Sequence, residues 1–191
     1  MTLCFATNNK NKLVEVRQIL SKEFQLFSLQ EIGCNEELPE TRDTLEGNSF
    51  QKADFVFKKF NTVCFADDSG LEVEALNRAP GIYSARYAGD HKNSDDNIRL
   101  LLKNLEGKDN RSAQFKTVIT LVGMGAPQTF TGGIKGSILK EKRGSGGFGY
   151  DPIFQPEGNE KTFAEMTLQE KNKFSHRAIA VQKLIAFLKN S

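Results

Sequence analysis

The first twenty residues change from a strand pattern to a helix pattern within a few positions. Residues 3–6 form a short apolar run, and the polar sequence TNN follows directly at residues 7–9. From residue 10 to residue 20 the apolar side chains recur every three or four positions, at Leu13, Val16, Ile19 and Leu20, which is the period of an amphipathic helix. A strand, a polar turn and a helix in this order predict an α/β fold.

The same alternation of short apolar runs and helical periods continues along the chain. We predict strands at residues 24–29, 63–66, 115–122, 130–134 and 136–139, and helices at residues 45–60, from Ser94 to Gly107 and after Ser175. On the second of the helices, the expected buried face consists of Phe50, Ala53, Phe57 and Phe60. Because no repeat or linker interrupts the pattern, residues 1–191 are predicted to form a single compact α/β domain.

The composition argues against nucleic-acid and membrane partners. The 26 basic and 24 acidic residues leave a net charge of only +2, and they form no extended basic stripe. No apolar stretch approaches the length of a membrane span or a signal peptide. Three cysteines without metal-type spacing favour a reducing compartment, and we expect Cys4 and Cys64 to be small buried hydrophobes. A cytoplasmic enzyme or binding protein is therefore expected.

The turn after the first strand carries the sequence TNNKNK at residues 7–12. A helix that begins here would present backbone N–H groups and the positive end of its dipole, beside two lysines, to an anion. This arrangement suits an oligophosphate, although the motif lacks the glycines of a Walker loop or a dinucleotide fingerprint. The alternative is a polar helix cap with solvated lysines, and the motif taken alone favours that alternative.

Acidic residues occur at two further places. Glu40 lies in an acidic loop, and Asp67 and Asp68 follow the strand predicted at residues 63–66, in the sequence DDSG. Ligands of open α/β sheets bind beyond the carboxyl ends of strands, where both TNNKNK and DDSG are expected. One or two carboxylates together with substrate phosphates are the usual ligands of Mg²⁺. The alternative for DDSG is an ordinary acidic turn.

Two later segments carry side chains suited to a nucleotide base. In GSGGFGYDPIF, the ring of Phe148 or Tyr150 could stack on a base and Asp151 could accept a ring N–H. In EKNKFSHRA, Lys171 precedes a helix cap, and two more basic residues lie in the first turn of that helix, where cations are unfavourable unless a ligand requires them. The alternatives are a glycine-rich hairpin with a core aromatic and a solvated basic turn.

Taken in order, seven segments resemble the inosine/xanthosine triphosphate pyrophosphatase family. They are ATNNKNK (6–12), LPE (38–40), EGNSFQKA (46–53), ADDSGLEVEAL (66–76), PGIYSARYAG (80–89), GGFGYDPIF (146–154) and AEMTLQEKNKFSHRA (164–178). The resemblance implies hydrolysis of inosine, xanthosine and deoxyinosine triphosphates to the monophosphate and pyrophosphate, with Mg²⁺, in a homodimer. It also implies an elongated two-lobed α/β fold, with a mixed sheet, flanking helices and a central nucleotide-binding cleft.

The resemblance also implies roles for individual residues, carried over by position. The triphosphate would be bound by Thr7, Asn8, Asn9, Lys10, Asn11, Lys12 and Lys52. Glu40 and Asp68 would serve the metal with Asp67 close by, and Asp68 would accept the proton of the attacking water. Ser69 would touch the nucleotide, and the base and sugar would be surrounded by Phe148, Gly149, Tyr150, Asp151, Lys171, His176 and Arg177. The role of Arg86 is left open.

The chemistry of the base gives His176 or Arg177 a specific expected role. A 6-oxo purine presents an acceptor oxygen and a ring N–H, whereas adenine presents the reverse pattern. A donor from either residue to the oxo group would therefore favour hypoxanthine and xanthine over adenine, because adenine would leave buried polar groups unpaired.

Three other functions compete with this interpretation. A related pyrophosphatase acting on modified pyrimidine or methylated nucleotides would share the phosphate and metal parts. A nucleotide-binding regulator would bind without turnover, but carboxylates at both Glu40 and Asp68 disfavour it, since a binder needs no acid that activates water. A nucleic-acid-binding module is disfavoured by the near-neutral charge.

Overall fold

The computed structural model describes residues 1–20 and 24–190. Its strands are β1 (Thr2–Phe5), β2 (Gln25–Phe27), β3 (Cys64–Val73), β4 (Pro80–Gly81), β5 (Ser112–Val122), β6 (Gln128–Ile138) and β7 (Phe154–Pro156). Its α-helices are α1 (Lys10–Ile19), α2 (Leu45–Phe60), α3 (Ser94–Asn104), α4 (Leu168–Lys171) and α5 (His176–Lys189).

In the described chain the hydrogen-bonded strand order is β2-β1-β3-β5-β6-β7, and β4 pairs with β3. The β1–β2 and β1–β3 pairs are parallel, whereas the β3–β4 and β6–β7 pairs are antiparallel. The predicted α/β class with a mixed sheet and flanking helices is confirmed.

The described chain divides into two compact units, and both are discontinuous in sequence. The first unit comprises Met1–Asp68, Thr117–Gly132 and the chain from Arg177 on, and the second comprises Ser69–Lys116 and Gly133–His176. One boundary falls inside β3, between Asp68 and Ser69. The single domain over residues 1–191 stays a prediction.

Alternation along the strands assigns the helices of the first unit to the two faces of its sheet. Leu3 and Phe5 of β1 pack with α1 and α5, whereas Cys4, which points to the other face, packs with α2. On β3, Phe65 likewise belongs to the α1 and α5 side, and Cys64 and Ala66 belong to the α2 side. This is the period of two that a strand imposes on its side chains. It determines which helix each aspartate at positions 67 and 68 can meet.

The second unit has its own core around β3, β5 and α3. Leu71 and Val73 of β3 pack with Phe115 of β5 and with Ile98 and Leu101 of α3. The ring of Phe115 also contacts Phe154 edge-on, with the centroids 4.6 Å apart. The aromatic contacts continue from Phe154 to Phe163 at 5.3 Å. The three rings of Phe115, Phe154 and Phe163 form the aromatic part of the core of the second unit.

Several local predictions need correction. Helices α1 and α2 begin where the patterns predict, but the cap of α3 is Asn93 and not Ser94, since its side chain accepts from the N–H groups of Asp95 and Asp96. The two strands predicted at residues 130–134 and 136–139 are parts of one strand, β6, which ends at Ile138 and in which glycine is tolerated without a break. On α2 the buried apolar residues are Leu45, Ala53 and Val56, and Phe50 is 42% exposed. Of the predicted face, Ala53 is buried and Phe57 and Phe60 are partly buried against the same core, so the prediction was wrong only at Phe50. The buried face also carries the polar side chains of Asn48, Ser49 and Lys52.

The three cysteines are buried and carry free thiols, as predicted for Cys4 and Cys64. Burial raises the pKa of each of these two thiols to about 12, so both are neutral at physiological pH. Within residues 1–20 and 24–190, none of the helices combines the length and hydrophobicity needed to cross a bilayer.

Candidate functional site

The two aspartates of DDSG lie inside β3 and not in a turn after it. The strand continues because its first part pairs with β1, at Cys4 with Cys64, and its last part pairs with β4, at Leu71 with Gly81. Gly70 is required by this pairing, since a Cβ atom on it would lie 2.5 Å from the Gly81 carbonyl oxygen. The alternative interpretation of DDSG as an ordinary acidic turn is therefore wrong. The aspartates occupy the part of the strand beyond the last β1 partner, Phe65.

Asp68 points to the α2 side and meets two side chains of that helix. Its Oδ1 atom lies 3.4 Å from the Lys52 ammonium, and its Oδ2 atom accepts from the Asn48 amide at 3.1 Å. The same Lys52 ammonium donates to Glu40 at 2.5 Å. One lysine thus holds two carboxylates that approach from different segments of the chain.

For both Asp68 and Lys52, burial and the neighbouring charges shift the pKa in opposite directions. Burial is the main cause of the raised pKa of Asp68, which Lys52 counteracts. For Lys52, burial lowers the pKa, but Asp68 and Glu40 outweigh it, so the pKa of the ammonium is raised. Asp68 is therefore a more basic carboxylate than a solvated aspartate, beside a lysine that keeps its proton.

Asp67 points to the opposite face and meets α1 and α5. Its Oδ1 atom accepts from Lys12 at 3.1 Å and its Oδ2 atom accepts from Arg177 Nε at 3.0 Å. A second acid, Glu15 of α1, pairs with Nη1 of the same arginine. Burial disfavours the charge on Asp67, but Lys12 and Arg177 outweigh it and hold the pKa of this carboxyl well below its usual range.

The TNN sequence at residues 7–9 caps α1 and contacts the neighbouring loop. The Asn9 side chain accepts from the N–H groups of Asn11 and Lys12 at 2.9 and 3.2 Å, and Thr7 Oγ1 accepts from the N–H of Asn9. The Asn8 amide instead bonds to residues 36 and 38 of the acidic loop. The helix cap considered as an alternative is thus present, while Lys10 lies exposed in the first turn of α1.

In the second unit the aromatic-glycine loop is organised around a buried ion pair. Lys171 donates to Asp151 Oδ2 at 2.6 Å, and the same oxygen accepts from the N–H of Phe148 at 2.9 Å. The Lys171 ammonium also lies 5.0 Å from the centroid of the Phe148 ring. A side chain at Gly147, where φ is +69°, would collide with Asp151. The structure therefore brings Phe148 and Asp151 of this loop together with Lys171 of α4.

The remaining predicted residues of this unit have separate surroundings. His176 stacks on Phe115 with the ring centroids 4.6 Å apart. The Tyr150 hydroxyl donates to the Ser84 carbonyl at 2.9 Å, and burial raises the pKa of that phenol. Gly149 has a φ of +61°, a conformation suited to glycine. Ser69 is half-buried on β3, and Arg86 stacks over the Tyr83 ring at 5.3 Å.

Two residues in these contacts were missed by sequence reasoning. Glu15 is buried on α1 and lies three positions after Lys12. Asn48 is 1% exposed and lies four positions before Lys52 on α2. Helical spacing from a predicted lysine was the signal that could have identified both.

The donor atoms near Lys52 are of the kind that hold a hard divalent cation. Glu40 and Asp68 both direct an oxygen to one cationic nitrogen, so their carboxylates converge on a single position of positive charge. In the described part of the chain no three or more His, Cys, Asp or Glu side chains gather as a metal cluster. Two carboxylates fit Mg²⁺, which takes its other ligands from water and phosphate.

These observations define an α/β protein with lysines and carboxylates gathered beyond the end of a parallel strand pair. A profile of the Ham1 family matches residues 3–187. The chain is 56% identical to the dITP/XTP pyrophosphatase of Flavobacterium johnsoniae over 188 residues, which cover 98% of both chains. The solved Ham1 proteins of Staphylococcus aureus and Coxiella burnetii match 100% of this chain and 99% and 100% of their own. Their TM-scores are 0.90 and 0.91, at 39% and 36% identity. The chain belongs to the Ham1 family, and the resemblance drawn from the sequence is confirmed.

Proposed function

We propose that this protein hydrolyses non-standard purine nucleoside triphosphates, namely ITP, dITP and XTP, to the monophosphate and pyrophosphate. The observation that carries the proposal is the convergence of Asp68 and Glu40 on Lys52, beside the turn that follows β1. Membership of the Ham1 family and the similarity to dITP/XTP pyrophosphatases support the substrate class. Removal of such nucleotides from the precursor pool would be the consequence.

In this proposal the triphosphate is bound through positive charge on the first unit. Lys10, Lys12 and Lys52 offset the charge of the phosphates, and Thr7, Asn9 and Asn11 contribute polar groups at the start of α1. Mg²⁺ would be held by Glu40 and Asp68 and, when bound, would supply further positive charge to the phosphate oxygens. Asp67 supports the site indirectly, because both of its oxygens accept from the cations Lys12 and Arg177.

The hydrolytic step assigns a proton to Asp68. A water molecule attacks the α-phosphorus, a new P–O bond forms, and the bond from that phosphorus to the bridging oxygen breaks. The water proton passes to Asp68, whose raised pKa makes it a better acceptor. The charge that develops on the leaving pyrophosphate is offset by the lysines.

Contacts to the base and sugar are proposed from the resemblance. The Phe148 ring would stack on the purine, and Gly149, Tyr150 and Ser69 would lie along the nucleoside. Asp151 and Lys171 hold the loop through their ion pair. His176 or Arg177 would donate to the 6-oxo group. A homodimer, as the resemblance implies, and a cytoplasmic location, as the composition predicts, complete the proposal.

The decisive assay measures pyrophosphate release from ITP, dITP, XTP, ATP, GTP and modified pyrimidine or methylated triphosphates, with Mg²⁺ and with chelator. We expect a kcat/KM for the 6-oxo substrates ITP, dITP and XTP at least about 10²-fold above that for ATP, because a mismatched buried polar group carries a large penalty. The chelator should abolish release. Preference for a modified pyrimidine or methylated nucleotide would replace the proposed substrate class, and binding without release from any triphosphate would indicate a regulator.

A further inference from the structure

The loop that carries Glu40 is held from both sides by side-chain amides. On the N-terminal side, the Asn8 amide donates to the Glu36 carbonyl at 3.0 Å and accepts from the Leu38 N–H at 3.0 Å. On the C-terminal side, Gln51 accepts from the Thr41 N–H at 2.9 Å and donates to the Thr41 hydroxyl at 2.9 Å. Glu40 therefore lies between two residues whose backbone is fixed by other segments.

Asn48 links this loop directly to Asp68. Its Oδ1 atom accepts from the Arg42 N–H at 2.9 Å, and its Nδ2 atom donates to Asp68 Oδ2 at 3.1 Å. The amide is fully buried, so a rotation that satisfied only one partner would leave a buried polar group unpaired. One side chain thus fixes the loop that carries Glu40 and one oxygen of the proposed proton acceptor.

Side-chain packing, in addition to hydrogen bonding, restricts the position of residues 36–42. Leu38 is buried in the core on the α2 side, and the next residue, Pro39, has a fixed φ. At Gly47, in the first turn of α2, a Cβ atom would lie only 2.8 Å from Arg42 Cβ. The backbone around Arg42 therefore lies directly against the helix, and it has this position because residue 47 has no side chain.

We propose that Asn8, Asn48 and Gln51 are positioning residues that together clamp residues 36–42 and so hold Glu40 at Lys52 beside Asp68. The inference rests on the proposed function for its catalytic consequence, but the clamp itself is a property of the apo protein. It gives Asn8 a role in the loop in place of the direct phosphate contact implied by the resemblance. Asn48 and Gln51 lie three residues apart on α2, so their side chains are neighbours on the helix surface. Both can therefore bond to the same loop, at Arg42 and Thr41.

The first test is amide hydrogen exchange of the full-length protein without ligand, read on peptides that cover residues 36–42. Asn8→Ala, Asn48→Ala and Gln51→Ala should each accelerate exchange in this segment. Gln51→Glu is the matched control, because a carboxylate can accept from both the Thr41 N–H and its hydroxyl, and it should retain slow exchange. Unchanged exchange in all three alanine variants would overturn the clamp, whatever the substrate of the enzyme.

The second test is a double-mutant cycle on dITP hydrolysis. Asn48→Ala should lower kcat/KM by 10- to 100-fold, a range typical of residues that orient metal ligands, whereas Gln51→Glu should stay close to the wild type. In a Glu40→Gln background, Gln51→Ala should lower kcat/KM little further, since the carboxylate that Gln51 is proposed to position is already absent. An equal loss in both backgrounds would show that Gln51 does not act through Glu40. If the wild type releases no pyrophosphate, the proposed function fails, and hydrogen exchange alone decides the clamp.

Gly47→Ala separates positioning from general stability. The substitution should favour α2, because alanine has the higher helix propensity, but it should displace the loop at Arg42. We expect faster exchange in residues 36–42 and a lower kcat/KM without a lower melting temperature. A Gly47→Ala enzyme with wild-type exchange and activity would contradict the steric part of the inference.

Discussion

Replacement of Asp68 by Asn should lower kcat by about 10²- to 10⁴-fold, the contribution typical of a positioned acid–base group. The substitution keeps the shape of the side chain and an oxygen that can face Lys52, and it loses the acceptor for the Asn48 amide. It removes the only property that the proposal assigns to this residue alone, the ability to accept the water proton. The measurement is steady-state pyrophosphate release from dITP, together with dITP affinity by calorimetry.

The effect on binding should be much smaller than the effect on turnover. Lys10 and Lys12 are unchanged in the variant, so the triphosphate should still bind. Glu72→Gln is the matched control, since Glu72 lies four residues further along the same strand and accepts from Gln114 in the second unit. Near-normal turnover in Asp68→Asn, or an equal loss in Glu72→Gln, would refute Asp68 as the proton acceptor.

Removal of the Arg177 side chain should destabilise the protein by about 3–5 kcal/mol, as expected when one partner of a buried ion pair is lost. Arg177 is 1% exposed and lies between two acids, Asp67 and Glu15. Those acids hold the pKa of the guanidinium above its usual value although burial opposes the charge. Arg177→Ala would leave two buried carboxylates with one fewer cation, so the free energy of unfolding in guanidinium should fall.

A second substitution identifies the cause of that loss. Glu15→Gln in the Arg177→Ala background removes one uncompensated charge, so the double variant should be more stable than Arg177→Ala alone. If the two effects simply add, the acids and the arginine do not act as a unit. The single variant Arg177→Ala also tests whether Arg177 donates to the 6-oxo group of the base. If it does, loss of this contact should lower the ratio of kcat/KM for ITP to kcat/KM for ATP.

The sequence predicted the elements of this fold where local signals and long-range packing agree. Helix α1 begins after a polar turn, and its cap residue, Asn9, is visible in the sequence. At Asp67 and Asp68 the local signal for a turn was misleading, since pairing with β1 and β4 keeps the segment extended. On α2 the aromatic pattern was misleading at Phe50, which is exposed, whereas Asn48 and Lys52, which contact Asp68, are buried.

For the candidate site, the sequence identified residues but not the contacts that those residues make. Among the residues that the resemblance named, the structure brings Lys52 into contact with Glu40 and Asp68. The resemblance did not separate Asp67 from Asp68 by their surroundings, because that separation follows from strand alternation between two layers of helices. Nor could it indicate that Asn8 contacts a loop thirty residues away.

The most direct test of the central claim is hydrolysis of dITP in ¹⁸O-labelled water, with the products separated and weighed by mass spectrometry. Attack of water at the α-phosphorus predicts one ¹⁸O atom in the deoxyinosine monophosphate and unlabelled pyrophosphate. Label in the pyrophosphate, or release of orthophosphate in its place, would contradict the reaction proposed for this protein.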